Sequence, residues 1–362
     1  MLYRWRRLDD DDRLRVWRLY GWFCFLMLCG SCFGAVTWAA RMISLINGFK
    51  ANDPQFGDRA QSFWLQGLGR TWRAVFSVTY AIEFLCLSAA LLMVLDRMSD
   101  FAAPQGDGMR KWWVAGGRIV MAVVVLGNAV GLAANIAAAV HFQKSSEAWS
   151  SASAYVAANN SRVASEHILT ARSENQLAGF IASVQSFCEV AVLLLIVIAF
   201  LVAGVICARR ISSALSVLGD AGAEMAAGMR MRQHVVGAAV ALGKQMRHEI
   251  VLTTCFVCLA FVLRAADSTM LALAFRFQNT ANRHPGVISS CDASCYNVFA
   301  RIALWSSHTP EFQTTVVLIS SPLALLVALW GMTTKLTLQL MKSSQRETVP
   351  LRTLQQPGSA LS

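Results

Sequence analysis

The chain has 362 residues, of which 56 % are apolar and only 15 % charged, against about 45–50 % and about 25 % in ordinary soluble domains. The apolar residues are bunched into long runs rather than spread at helix or strand period. This excludes a disordered chain, a disulfide-rich secreted module and an ordinary soluble enzyme, and leaves an all-α, polytopic transmembrane bundle. The net charge of +11 then reads as a topology signal. Nucleic-acid binding is a poor explanation for it, because no basic stripe is interleaved with aromatics on a soluble domain.

A bilayer core about 30 Å thick needs about 20 apolar helical residues. Six stretches meet that length, at 19–46, 74–95, 114–142, 177–207, 250–277 and 312–340. They form one membrane domain over 19–342, preceded by a tail at 1–18 and followed by a tail at 343–362. A β-barrel is excluded, since its strands would alternate over about ten residues with far weaker runs. The N-terminal tail mixes six arginines with the acidic run Asp9-Asp10-Asp11-Asp12. Its basic residues suit contact with anionic lipid headgroups. The first apolar run is longer than the roughly 7–15 residues of a signal peptide, so it is read as an uncleaved span; cleavage would leave five. In this span Gly30 and Gly34 sit four apart, a spacing that lets helix backbones approach closely.

The second span carries one charge, Glu83, near mid-membrane. A turn follows at Pro104 and Gly106-Asp107-Gly108, and then Trp112 and Trp113 at the position of an interfacial aromatic belt. The third span repeats the close-packing spacing with Gly127 and Gly131, favouring packing inside the chain over dimerisation, and holds Asn128, Asn135 and His141. The 143–176 segment is rich in Ser and Ala and lacks Pro and Gly, which suits helical extensions of the spans on either side. It contains the sequon Asn159-Asn160-Ser161, an N-glycosylation acceptor if that side is extracytoplasmic.

The fourth span carries Glu189 and ends at Cys207, which stands beside Arg209 and Arg210 as a candidate for acylation. The 208–248 segment spaces apolar residues at helical period among Arg209, Arg210, Arg230, Arg232, Lys244 and Arg247. Such a segment is either a pair of helix extensions meeting near Gly219-Asp220-Ala221-Gly222 or a surface for anionic lipid or a cytoplasmic protein. A seventh span through 226–242 is unfavourable, because each Arg there costs about 2.5–3.5 kcal/mol at mid-membrane. The fifth span holds Arg264 and Asp267, three apart and so on one face. Its Cys255 and Cys258 lie in an apolar helix, unlike a redox or zinc pair. The exterior segment 278–311 carries Cys291 and Cys295, whose spacing suits a disulfide on the oxidising side. Pro322 should kink the sixth span, and the polar 343–362 tail is expected to be disordered.

Lys and Arg are more numerous on the even-numbered side of this arrangement. With an even number of spans, that places both termini in the cytosol and leaves exterior loops at 47–73, 143–176 and 278–311. In a eukaryote the host would be the plasma membrane or the secretory pathway.

Ionisable groups within spans are expensive and concentrate where function resides. Glu83, Glu189, Arg264, Asp267 and Asn128 are therefore the candidate site, either as a paired network fixing helix packing or as an ion or proton pathway. No catalytic elbow, nucleotide loop or metal-ligand spacing occurs, so neither an enzyme, a cofactor nor a metal is expected. The first functional expectation is a non-catalytic, receptor-like or scaffolding membrane protein acting through 208–248, its ligand unspecified. The alternative is an ion- or proton-coupled transporter or channel using the intramembrane Glu, Asp and Arg.

Overall fold

The computed structural model describes residues 10–53, 58–103, 107–225 and 230–281, with a few isolated positions between 297 and 323. Within them run five helices: α1 (Asp10–Ala51), α2 (Arg59–Ala102), α3 (Asp107–Ala157), α4 (Ser161–Met225) and α5 (Arg230–Ala281). No strand occurs among the described residues. Each helix contains a stretch long and apolar enough to cross a membrane. The 65-residue α4 is roughly 100 Å long at 1.5 Å per residue, so it continues well past a bilayer core of about 30 Å.

The connections are short, so sequence neighbours run antiparallel. α1 packs on α2, α2 on α3, α3 on α4 and α4 on α5, while α2 also reaches α4. α2 and α4 are therefore central. The main apolar core lies toward the end of the bundle where α1 begins. Phe23 and Met27 of α1, Leu87 and Leu91 of α2, Val124 of α3, Ile196 and Phe200 of α4 and Phe261 of α5 all belong to it. These helices are apolar nearly all round, so hydrophobicity alone does not choose the inward face. Small and hydroxyl residues choose it. An alanine methyl at Gly127 would stand 2.5 Å from Val192 Cγ2, and one at Gly204 would stand 2.7 Å from Thr254. Gly30 faces Cys86 and Leu87 across the α1–α2 contact, and Gly34 is buried. Gly131, by contrast, has nothing within 4 Å of such a methyl: of the two α3 glycines, one brings helices together and the other leaves space.

The opposite end is held by serine hydroxyls that donate to carbonyls of the neighbouring helix. Ser44 bonds Gly69 O (2.8 Å), Ser146 bonds Gly67 O (2.7 Å), Ser145 bonds Ala171 O (2.7 Å) and Ser153 bonds Ala60 O (2.6 Å). His141 and Glu174 add a 2.6 Å contact between α3 and α4.

Several boundaries differ from the sequence reading. The helical backbone starts at Asp10, inside the predicted 1–18 tail, and 47–51 and 59–73 are helical. Arg41, Arg70 and Arg73 lie within the helical stretches of α1 and α2, and Arg41 is buried. Two of the guanidiniums lie over rings of a neighbouring helix, Arg41 over Phe76 (5.7 Å) and Arg73 over Phe142 (5.3 Å). The 208–248 segment is helical on both sides of 226–229, and α4 runs straight through Gly219 and Gly222 to Met225. Cys207 is buried with its Sγ 3.7 Å from Met98 O, which removes it as an acylation candidate. The predicted sixth span, the Cys291/Cys295 pair and the C-terminal tail fall outside the described residues, isolated positions aside.

The α3–α4 turn explains its own sequence. Asn159 has φ of 55°, and the amides of Asn159 and Asn160 bond Val156 O and Tyr155 O, a Schellman closure with Asn in the left-handed position. Asn tolerates that conformation, and β-branched residues do not. Asn159→Gly should leave thermal unfolding in detergent unchanged or slightly raised, while Asn159→Val should destabilise by about 1–2 kcal/mol. Gly127→Ala should cost about 1–3 kcal/mol through overpacking, and Gly131→Ala should cost nothing measurable in the same assay.

Candidate functional site

One carboxylate organises the middle of the bundle. Glu189 of α4 lies one turn after Gln185, so both point the same way, and Gln185 Nε2 donates to Glu189 Oε2 at 3.0 Å. From α2 the Tyr80 hydroxyl donates to Glu189 Oε1 at 2.6 Å. From α5 Arg264 Nε donates to the same oxygen at 3.1 Å. Three helices thus meet on a single acidic group. The Arg264 guanidinium lies over the rings of Tyr80 (5.4 Å) and Phe84 (5.0 Å) of α2. Such stacking is worth about 2 kcal/mol or more when desolvated. Arg264 is completely buried, which is tolerable in an apolar bundle because charge, hydrogen bond and ring faces are supplied together.

Around this centre stand more ionisable groups. Glu83, one turn beyond Tyr80 on α2, is 1 % exposed and feels the charges of Arg264 and Glu189. The Thr37 hydroxyl of α1 lies beside it, but Glu83 Oε2 has no hydrogen-bond partner. Asp267, one turn beyond Arg264 on α5, is within electrostatic reach of Glu189, Arg264 and Arg41. Arg41 is in turn within electrostatic reach of Arg73, so the buried charges run on from the centre along α1 and α2.

Of the five predicted site residues, the structure brings Glu83, Glu189, Arg264 and Asp267 together. Arg264 forms an ion pair with Glu189 across the α4–α5 contact and is also within electrostatic reach of its helix neighbour Asp267. Asn128 lies on the other flank of Glu189. It lines a small cleft between α2, α3 and α4, with Asn135, Gln185, Gly131, Phe84 and Glu189 also on its walls. Arg41, Tyr80 and Gln185 are absent from the sequence reading. The spacing held a signal for two of them: Tyr80 is three residues from Glu83 and Gln185 four from Glu189, so each shares a face with a buried acid. Arg41 had no such signal, since only the α1–α5 proximity reveals its role.

Among the described residues no group of three or more His, Cys, Asp or Glu converges to hold a metal ion. No protein family, no curated protein and no solved structure matches this chain.

Removing one partner of a buried ion pair strands the other and costs about 3–5 kcal/mol. Glu189→Leu and Arg264→Met should each destabilise on that scale. The double variant should be far more stable than the sum of the two losses, as read by thermal unfolding in detergent. Additive losses would show that the two side chains act independently.

Proposed function

We propose that the chain is a non-catalytic, multi-pass membrane protein that is receptor-like or scaffolding, with the basic ends of α4 and α5 as its working surface. The observation that supports this is a cluster of exposed bases on two packed helices. Arg209 of α4 and Lys244 and Arg247 of α5 are exposed. The two helices are in close contact beside them, since a methyl at Gly243 would stand 2.4 Å from Leu215, and Arg247 Nη1 donates to Ser212 Oγ at 3.1 Å.

The same two helices carry Glu189 and Arg264. From Glu189 to Ser212 is roughly 35 Å along an unbroken helix. A change in how the α4–α5 pair seats against Tyr80 and Phe84 would therefore be delivered to the basic end as a movement of stiff rods. In this reading the basic end is cytoplasmic, as the Lys and Arg bias implies, and both termini share that side if a sixth span follows. The partner is an anionic membrane surface or an acidic cytoplasmic protein, each basic residue near an anionic surface contributing about 1 kcal/mol. Asn159 is exposed at the opposite end, where a glycan would be accommodated.

A second reading, ion- or proton-coupled transport, is favoured by one feature, the unpartnered carboxylate oxygen of Glu83 in the apolar middle of the bundle. Proteoliposome flux that Glu83→Gln abolishes without loss of stability would establish it over the first.

For the first reading, full-length protein in zwitterionic nanodiscs should float with phosphatidylserine vesicles. Recovery should fall steeply between low and physiological salt, and the triple variant Arg209→Gln, Lys244→Gln, Arg247→Gln should lose most of it. Binding that ignores salt and the triple variant would remove the electrostatic surface.

A further inference from the structure

The cleft beside Glu189 is unlike the rest of the bundle interior. Its walls from α3 are Gly127, Asn128, Gly131 and Asn135, and α4 contributes Gln185 and Glu189. Asn128 is 7 % exposed and Asn135 is 4 % exposed. The Asn128 amide nitrogen donates to Val124 O at 2.9 Å, one turn back. This fixes the side chain and leaves Oδ1 directed elsewhere, and Oδ1 has no hydrogen-bond partner. A buried amide oxygen without a partner costs about 1–3 kcal/mol, so its retention on a wall of the cleft points to an occupant.

The space for the centre of a water-sized sphere is about 10 Å³, room for about one water. Gly131 is on the wall as well, and a methyl there would meet nothing within 4 Å. The occupant is therefore small, and the polar residues on the walls, Asn128, Asn135, Gln185 and Glu189, carry amide and carboxylate oxygens. Hard cations take oxygen ligands of this kind, from carboxylates and side-chain amides. Glu189 is the one ionisable residue on the walls of the cleft, and a single carboxylate among side-chain amides suits a singly charged ion.

We propose that the α2–α3–α4 cleft is a binding site for a single sodium-sized monovalent cation, held by Asn128 Oδ1 and Glu189 with the amides of Asn135 and Gln185. The inference goes beyond the basic-surface reading and stands without it, because the cleft lies far along α4 from Arg209. It also stands whether or not the cation crosses the membrane.

The test uses full-length protein in detergent, with sodium chloride against N-methyl-D-glucamine chloride at equal ionic strength. A ligand that binds only the folded state raises Tm with concentration. Sodium should raise Tm by several degrees in a saturable way, and radioactive sodium should bind wild type at one ion per chain. Asn128→Asp keeps an oxygen in place and should preserve the response. Asn128→Leu, and Gly131→Val, which fills the cleft from a position with space to spare, should abolish it with the fold intact. Equal Tm curves in the two salts, or no bound sodium, would overturn the site. So would a sodium response that survives both Asn128→Leu and Gly131→Val. A Tm that follows pH but ignores sodium would show that a proton takes the ion's place, which also overturns the cation. None of these outcomes alters vesicle flotation, which reports separately on the basic ends of α4 and α5.

Discussion

A buried guanidinium in an apolar bundle needs an opposite charge beside it, and that requirement organises the interior here. Arg264 on α5 reaches Glu189 on α4 and lies over two aromatic rings of α2. Tyr80 and Gln185 complete the Glu189 carboxylate. Four side chains from three helices are thereby fixed relative to one another. Lipid supplies no hydrophobic drive for helices to associate, so a mutually dependent set of this kind specifies which faces meet.

Packing away from the centre follows the same logic with weaker parts. Glycines set the closest approaches at Gly127, Gly204 and Gly243, while serines donate to backbone carbonyls of adjacent helices toward the end of the bundle where α2 begins and α3 ends. A serine hydroxyl in such a place satisfies itself and adds a cross-helix bond without a long side chain to order. The apolar core near the other end lacks these bonds and relies on interdigitated Leu, Val, Ile and Phe. The polar cluster lies between the two regimes. The electrostatic centre, the cleft and the stiff α4–α5 pair are thus parts of one continuous structure rather than separate modules.

Much of this was legible in the residues. Runs of apolar side chains mark the helices because an unpaired backbone in hydrocarbon must bond to itself. Glu83, Glu189, Arg264 and Asp267 stood out because charge is rare in such runs. The rings over Arg41 and Arg73, Phe76 and Phe142, belong to neighbouring helices, so no spacing within one helix announces them. The two α3 glycines shared one spacing and one expected role. Only the position of α4 separates Gly127, pressed against Val192, from Gly131, beside the cleft.

By itself, the sequence determined that this is an all-helical chain with long apolar helices, and which few polar residues those helices must carry inward. That follows from composition and helical period, both local properties. Tertiary structure decided the partners. It set Glu189 against Arg264, added Tyr80, Gln185 and Arg41 to the cluster, and set Asn128 on a cleft beside it. Those outcomes depend on how helices rotate and slide against one another. In a chain apolar on nearly every face, hydrophobic pattern leaves that rotation open, and only the cross-helix contacts of individual polar and small residues close it.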